Sequence, residues 1–174
     1  MDITPLAMPG KQISFTPAVV GFAVQSGQVL LGLRKQVSNQ MGHMLWSGIG
    51  GKIEPQENPE QALVREFEEE VRFSPTKWTL VGENYYYFPT RPKWNMHVLV
   101  YLIHQWQGDP KESLSIQPKW FDLDKLPLGQ MWTDNRLWLE FVFRNKPFQG
   151  YYRFDQQADQ VAEYQIKFGS HTSG

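Results

Sequence analysis

The sequence contains no cysteine, which excludes disulfide bonds and thiolate metal sites. It also has no apolar run long enough to span a bilayer, and residues 1–11 lack the basic start and hydrophobic stretch of a secretory signal. These absences favour a cytoplasmic protein without a membrane partner.

Blocks of like charge are absent as well. The 17 basic and 18 acidic residues leave a formal net charge of −1, and no lysine or arginine cluster occurs along the chain. A protein that binds nucleic acid by bulk electrostatics needs a basic surface. The composition therefore indicates a small-molecule ligand rather than a nucleic-acid partner.

With 174 residues and 41% hydrophobic content, the chain is long enough for one domain with a substantial core. We expect residues 1–15 to form an irregular lead-in, because they contain Pro5, Pro9 and Gly10 and show no periodicity. The domain is expected over residues 16–168. Residues 169–174 are small and polar and are expected to be a disordered tail. We expect a monomer.

Apolar periodicity predicts a strand-rich domain with two helices. Two early strands at 18–24 and 29–33 flank a polar hairpin turn, and a glycine turn is expected at 48–51. Further strands are expected at 78–88, 96–106, 119–123, 148–154 and 161–168, with loops at 36–44 and 89–95. The second helix is expected at 135–143, capped by Thr133 or Asp134. This order indicates an α/β fold with a mixed sheet covered by helices.

The most specific pattern is Gly51-x5-Glu57-x7-Arg65-Glu66-Phe67-x-Glu69-Glu70-x-Arg72-Phe73. Within it, Asn58, Pro59 and Gln61 are typical of a helix start, as N-cap, first-turn proline and capping partner. We therefore expect a helix from this point to about Val71.

Carboxylates concentrate on one flank of this helix. Apolar residues recur every fourth position from Leu63 to Val71 and predict the buried stripe. Glu66 lies three and four positions before Glu69 and Glu70, and each such like-charge pair costs roughly 0.2–0.5 kcal/mol on an exposed helix. A bound divalent cation would reverse the sign of that contribution.

Two interpretations of the carboxylates stay open on these residues alone. The backbone carbonyls at Gly50 and Gly51 are hard oxygen ligands suited to Mg²⁺ or Mn²⁺, and Arg65 is placed to orient a carboxylate. Alternatively, the glutamates form a solvated helix face in which Arg65 offsets Glu68 and Glu69.

The pattern resembles the Nudix box, and every charged position of that box is present. The resemblance implies a Nudix-type α/β/α sandwich with a mixed β-sheet. It also implies a metal-assisted attack on a diphosphate linkage, with Mg²⁺ as cofactor and Mn²⁺ as the alternative. Phe67 is bulkier than the usual aliphatic residue. Arg72 stands where the family usually has a glycine that supplies a left-handed cap, so the exit geometry of the helix is open.

Outside the box, most of residues 18–168 resembles the oxidised purine nucleoside triphosphate hydrolases of the MutT-homologue branch. The resembling stretches are residues 29–32, 45–52, 120–124, 131–135 and 148–152. The resemblance implies hydrolysis of a modified purine nucleoside triphosphate to the monophosphate and pyrophosphate. Its implied role is sanitation of the nucleotide pool.

The resemblance also implies roles for individual residues. Metal contacts would come from the Gly50 carbonyl and from Glu66, Glu69 and Glu70. The implied catalytic residues are Glu66, Glu69, Glu70 and Arg65. The implied substrate-binding residues are Ser47, Trp132, Asp134 and Asn135 around the base, with Arg34 and Lys52 near the nucleotide.

Two of these positions depart from the branch. It has asparagine at Ser47 and a second acidic residue at Asn135, so a preference for 8-oxoguanine does not transfer automatically. A further acidic position of the branch falls near Ser115, and Glu112 is the candidate substitute.

Alternative interpretations concern both the activity and single residues. The chain could hydrolyse another diphosphate, such as a dinucleotide polyphosphate, a nucleotide sugar or an RNA 5′ end, or serve as a binding module without turnover. Residues 133–135 could simply cap the second helix. Trp46, Trp120 and Trp138 favour the core over ligand stacking. The four histidines lack metal-ligand spacing and receive no functional assignment.

Overall fold

The structure is a computed structural model that describes residues 13–35 and 44–169. The predictions for most of the lead-in, for residues 36–43 of the expected loop and for the tail from residue 170 lie outside the described residues. Within the described ranges, a nine-stranded sheet is combined with two α-helices.

The elements follow the chain in this order. The strands are β1 (Thr16–Gln25), β2 (Gln28–Arg34), β3 (Trp46–Ser47), β4 (Ile49–Lys52), β5 (Ser74–Tyr87), β6 (Met96–Gln107), β7 (Ile116–Asp122), β8 (Phe148–Phe154) and β9 (Val161–Phe168). The helices are α1 (Pro59–Val71) and α2 (Asn135–Phe143), and single 3₁₀ turns occur at Pro92–Trp94 and Leu128–Gln130.

The sheet is mixed, as predicted. Its strand order is β3-β2-β1-β6-β5-β8-β9, with β4 paired to β1 and β7 paired to β2. The β1–β6 and β5–β8 pairs are parallel, and the other pairs are antiparallel. In the predicted hairpin, Ser26 and Gly27 both have positive φ, 47° and 74°, as a tight turn between twisted strands requires.

Three predictions differ from the structure by three residues or more. Strand β7 begins at Ile116 rather than at residue 119. The glycine turn expected at 48–51 is mostly strand β4, in which Gly51 pairs with Val19 of β1. Strand β5 begins at Ser74 rather than at residue 78, and its pairing with β6 shifts register between Pro75 and Trp78. Irregular pairing removes the strict apolar alternation that signals a strand.

The sheet separates two layers of apolar packing. On one side, α1 buries Leu63, Phe67 and Val71 against β1 and β6. On the other side, α2 buries Trp138, Leu139 and Val142 against the opposite face. Successive residues of β6 alternate between the layers, so the chain has the expected α/β/α arrangement.

The large side chain of Phe67 is accommodated by a glycine in β1. A Cβ added at Gly21 would lie 2.6 Å from the Phe67 ring, 2.7 Å from Ile103 and 2.9 Å from Leu63. The large ring of Phe67 on the helix therefore occupies space that the absent side chain of Gly21 leaves on the sheet.

The tryptophans behave largely as predicted. Trp46 and Trp138 are buried in the core on the α2 side. Trp120 is partly buried and packs against the core on the α1 side.

Candidate active site

Helix α1 begins where the sequence predicts. The Gln61 amide donates to Asn58 Oδ1 (2.8 Å), and the Asn58 amide donates to Gln61 Oε1 (2.9 Å), which completes a capping box with Pro59 in the first turn. Because both bonds are local, they fix the start of the helix independently of the rest of the fold.

The end of α1 keeps its usual geometry despite the departure at Arg72. Arg72 itself adopts the left-handed conformation, with φ 62° and ψ 25°, where a glycine would be unstrained. The missing glycine therefore changes the conformational energy of this residue and not the path of the chain.

Arg65 connects helix α1 to the segment that precedes it. Its Nη2 lies 2.6 Å from Glu57 Oε1 and its Nε lies 3.0 Å from Glu57 Oε2, so the contact is bidentate. Nη1 donates to Glu66 Oε1 (2.8 Å) and Nη2 to the Lys52 carbonyl (3.0 Å). The hydrogen bond from Arg65 lowers the pKa of Glu57, and Glu57 is the main cause of the raised pKa of Arg65.

The Arg65 contacts test the alternative interpretation, in which the glutamates form a solvated helix face offset by Arg65. The expected contact with Glu69 is present at 3.5 Å, but Glu68 accepts a short hydrogen bond from Ser74 instead of pairing with Arg65. The helix is therefore not a uniformly solvated glutamate face. Glu68 and Glu69 are exposed, whereas Glu66 is half-buried and Glu70 is buried.

The Glu66 carboxylate lies directly against Gly51 of β4. A Cβ added at Gly51 would lie 2.3 Å from Glu66 Oε1, so only glycine permits this approach. The contact places the predicted ligand Glu66 beside β4, which also carries Gly50.

Glu70 is the most buried carboxylate of the motif. It is 8% exposed, and its Oε2 has no hydrogen-bond partner. Burial raises the pKa of Glu70 to about 7, and the nearby Arg34 opposes the rise. Arg34 Nη1 lies 3.4 Å from Glu70 Oε1, while Nη2 donates to the Gly50 carbonyl (3.2 Å). Arg34 thus contacts two of the predicted metal ligands.

The donor set suits a hard divalent cation, although its geometry is not that of a closed metal cage. In the described ranges 13–35 and 44–169, no group of three His, Cys, Asp or Glu side chains is arranged to hold a metal ion. The Glu69 side chain is 65% exposed, and Arg34 bonds the Gly50 carbonyl. The unpartnered Glu70 Oε2 and the Glu66 carboxylate against Gly51 nevertheless supply oxygen donors on neighbouring elements.

The second group of predicted residues lies at the start of α2. Asp134 occupies the N-cap position, but its side chain makes no capping hydrogen bond. Instead, Asp134 Oδ2 accepts from the Tyr86 hydroxyl and from Trp138 Nε1, both at 2.8 Å. Thr133 donates its hydroxyl to the Asp159 carbonyl. The prediction that the side chain of Thr133 or Asp134 caps α2 is wrong, because both side chains bond other partners.

Trp132 and Asn135 flank this carboxylate. Trp132 is half-buried and packs edge-on against Phe154, with ring centroids 6.1 Å apart. Asn135 is buried, and its Nδ2 donates to the Trp132 carbonyl (3.0 Å). The structure therefore brings Trp132, Asp134 and Asn135 together at one helix end.

Sequence reasoning missed the aromatic wall beside this helix end. Phe88 stacks on Phe154 with centroids 4.3 Å apart, and Tyr86 stacks on Tyr152 at 5.3 Å. Tyr86 and Phe88 are two residues apart at the end of β5 and just beyond it, and Tyr152 and Phe154 are two residues apart in β8, so their shared face could have been recognised from the period of two. The pairing of β5 with β8 could not, because it joins distant segments.

The remaining predicted residues lie in β3 and β4 or close to the end of β2. Ser47 Oγ donates to the Gly48 carbonyl (3.0 Å), and Lys52 is exposed at the end of β4. Glu112 Oε1 lies 2.5 Å from Nζ of Lys35, the residue that follows Arg34 in the chain. The structure thus gives Glu112 a lysine partner.

Comparison with known proteins identifies the family. The family model described as NUDIX domain matches residues 14–142, which include the motif and most of α2. The chain belongs to the Nudix family. It is a Nudix hydrolase, and Nudix hydrolases generally use divalent metal ions. Within its described part, the Nudix chain has no helix long and apolar enough to cross a membrane.

Relatives of this Nudix chain include two vertebrate enzymes named oxidized purine nucleoside triphosphate hydrolase. The protein from Danio rerio is 36% identical over 143 residues, which cover 82% of this chain and 88% of the relative. The protein from Mus musculus is 31% identical over 144 residues, covering 83% and 89%.

Solved structures show the same fold. The MutT protein of Bacillus halodurans superposes with a TM-score of 0.72 at 19% identity, covering 87% of this chain and 97% of that one. The MutT Nudix hydrolase of Burkholderia pseudomallei gives a TM-score of 0.64 at 28% identity, covering 74% and 98%. The predicted Nudix-type α/β/α sandwich is confirmed.

Proposed function

We propose that this Nudix hydrolase converts a modified purine nucleoside triphosphate to the nucleoside monophosphate and pyrophosphate, with Mg²⁺ or Mn²⁺ as cofactor. The observation that carries the proposal is the contact of Arg34 with both Gly50 and Glu70, because it joins a carboxylate that we propose as a metal ligand to a guanidinium suited to phosphate. The names and long coverage of the vertebrate relatives support a triphosphate substrate.

In the metal-binding half, the Gly50 carbonyl, Glu66, Glu69 and Glu70 would hold the cation. The bound cation would neutralise phosphate oxygens and activate water. Arg65 holds Glu66 and Glu57 in place, and Gly51 leaves room for the Glu66 carboxylate. Arg34 would release the Gly50 carbonyl and turn its guanidinium to a phosphate oxygen. Lys52 would add positive charge near the phosphates.

In the base-binding half, Trp132 offers a ring face for stacking, and Asp134 and Asn135 offer polar groups to a purine edge. Ser47 would complete the base site. Its hydroxyl reaches less far than a carboxamide, and Asn135 donates a proton that an ionised carboxylate lacks. We therefore propose weaker discrimination between 8-oxo-dGTP and dGTP than in the branch that the sequence resembles.

The test is a substrate panel with identification of the products. It contains 8-oxo-dGTP, 2-oxo-dATP, dGTP, a dinucleotide polyphosphate, a nucleotide sugar and a 5′-triphosphate RNA. We expect the purine nucleoside triphosphates to give the highest kcat/KM, with monophosphate and pyrophosphate as products. Release of inorganic phosphate, or a higher kcat/KM for a non-triphosphate substrate, would reject this reaction. Binding without turnover of any substrate would indicate a binding module.

The proposal extends to the setting of the reaction. Near-neutral charge and the absence of cysteine are compatible with a cytoplasmic, monomeric enzyme that sanitises the nucleotide pool. Sedimentation of the purified protein at the concentration used for turnover tests the monomer.

A further inference from the structure

Asp134 belongs to a chain of buried hydrogen bonds that connects β5 with α2. Asn84 Nδ2 donates to the Tyr86 hydroxyl (3.1 Å), which donates to Asp134 Oδ2 (2.8 Å). Trp138 Nε1 donates to the same oxygen (2.8 Å). Asn84 is fully buried, and Asp134 is 3% exposed.

The direction of the bonds follows from the groups at the two ends. The Asn84 amide nitrogen and the Trp138 indole nitrogen can only donate. The Tyr86 hydroxyl accepts from Asn84, so its own proton points to Asp134. Asp134 Oδ2 therefore receives two hydrogen bonds and acts as an acceptor.

This arrangement is not explained by the needs of the helix. Asp134 stands at the N-cap of α2 without capping it, and burial of a carboxylate among aromatic rings is costly. Burial raises the pKa of Asp134, and the hydrogen bonds from Trp138 and Tyr86 oppose that rise, because hydrogen bonds to a carboxylate are stronger than those to its protonated form. Both of these side-chain hydrogen bonds end on Oδ2, and neither occupies Oδ1.

We propose that Tyr86 is a positioning residue that fixes Asp134 as a hydrogen-bond acceptor for an N–H group of the bound base. This proposal rests on the proposed role of Asp134 in base recognition. It adds a chemical requirement to the substrate, since a base with an amino or imino donor at this position is preferred over one with an acceptor or a bare C–H. Loss of one matched buried hydrogen bond reduces binding by about tenfold or more.

The test removes the hydroxyl of Tyr86 while keeping its ring. Tyr86→Phe is compared with Tyr85→Phe, which deletes a hydroxyl on the opposite face of β5, 3.4 Å from Glu83 Oε2. Substrates are compared in pairs that differ by one amino group, namely dGTP with dITP, and dATP with purine deoxyriboside triphosphate. Thermal melting checks that each variant is folded.

In the wild type, we expect loss of the amino group to lower kcat/KM by about tenfold in at least one pair, mainly through KM. Tyr86→Phe should narrow that difference to about threefold or less, and Tyr85→Phe should leave it unchanged. If the wild-type difference in kcat/KM between the members of a pair persists in Tyr86→Phe, the proposal is overturned. An equal loss for both members of each pair would also overturn it, because it would show a purely structural role.

Binding of dGMP and dIMP in EDTA, measured by calorimetry, separates this proposal from the proposed reaction. If triphosphates are not hydrolysed but the difference between the two dissociation constants narrows in Tyr86→Phe, the reaction is rejected and the role of Tyr86 is supported. If neither turnover nor binding depends on an amino group in the wild type, the role of Tyr86 is rejected.

Discussion

Glu70 combines burial with an unpartnered carboxylate oxygen, Oε2. Without a bound cation, the negative charge at this position lowers the stability of the folded state. The pKa of Glu70 is raised to about 7, above the ordinary value of 4.5. The folded protein thus binds an extra proton between these values, and its stability rises as pH falls through that window.

Glu70→Gln should therefore stabilise the metal-free protein at pH 8 by on the order of 1–2 kcal/mol, because it removes the charge and keeps the volume. Since glutamine does not titrate, this advantage should shrink as the pH is lowered to 5. Urea unfolding in EDTA at both pH values measures the effect. If Glu70→Gln does not stabilise the protein at pH 8, or stabilises it more at pH 5 than at pH 8, the ionised Glu70 carboxylate does not destabilise the fold as assigned here.

Arg72 shows that a family departure can be absorbed by the conformation of one residue. It is exposed and holds a left-handed backbone conformation that is unfavourable for any residue with a Cβ. Substitution by glycine removes that strain but adds conformational entropy to the unfolded chain.

We expect Arg72→Gly to stabilise the protein by about 0.5–1 kcal/mol. Arg72→Ala is the matched control, because alanine also lacks the charge but keeps the Cβ, and it should give no gain. The shift in the midpoint of urea unfolding measures both. Equal effects of the two substitutions would assign the change to the charge and not to the backbone.

At the scale of elements, the two helix starts differ in how far their determinants lie along the chain. The cap of α1 joins Asn58 and Gln61, which are three residues apart, and the sequence predicts it correctly. The side chain of Asp134 is taken by Tyr86, which is 48 residues away. A local rule names the N-cap position of α2 but does not reveal that its side chain serves another partner.

The packing of α1 on the sheet depends on the pairing of a large residue with a missing side chain. Gly21→Ala would place a Cβ 2.6 Å from Phe67, and the side chains of the helix or the helix itself would have to shift. We expect a loss of about 1–3 kcal/mol from overpacking. In a double variant with Phe67→Leu, the loss should be smaller than the sum of the two single losses, as measured by urea unfolding. Strict additivity would show that the helix and β1 are not coupled at this contact.

For the whole molecule, the sequence predicts the fold class, both helices and the positions of most strands along the chain. It fails where an element depends on distant pairing, as in β4, whose glycines resemble a turn until Gly51 is paired with Val19 of β1. The carboxylates of α1 are predictable for the same reason as its cap, because a helix fixes their spacing. The contact of Arg34 with Glu70 and the Tyr86 bond to Asp134 arise only when the sheet assembles.

The central claim is that the carboxylates of α1 form a metal-dependent pyrophosphohydrolase site. Its most direct test is the rate of pyrophosphate release from a purine nucleoside triphosphate, as Mg²⁺ or Mn²⁺ is added back to EDTA-treated protein. We compare the wild type with a double variant, Glu69→Gln and Glu70→Gln. The control is Glu68→Gln, which removes one carboxylate charge of the same helix, at a residue that bonds Ser74.

In EDTA the wild type should be inactive, and metal should restore its activity and that of Glu68→Gln. The double variant should stay at least about a thousandfold lower in kcat at every metal concentration. Its far-ultraviolet circular dichroism spectrum should match the wild type. Full activity of the wild type in EDTA, or an active double variant, would contradict the account and leave the glutamates of α1 with a structural role only.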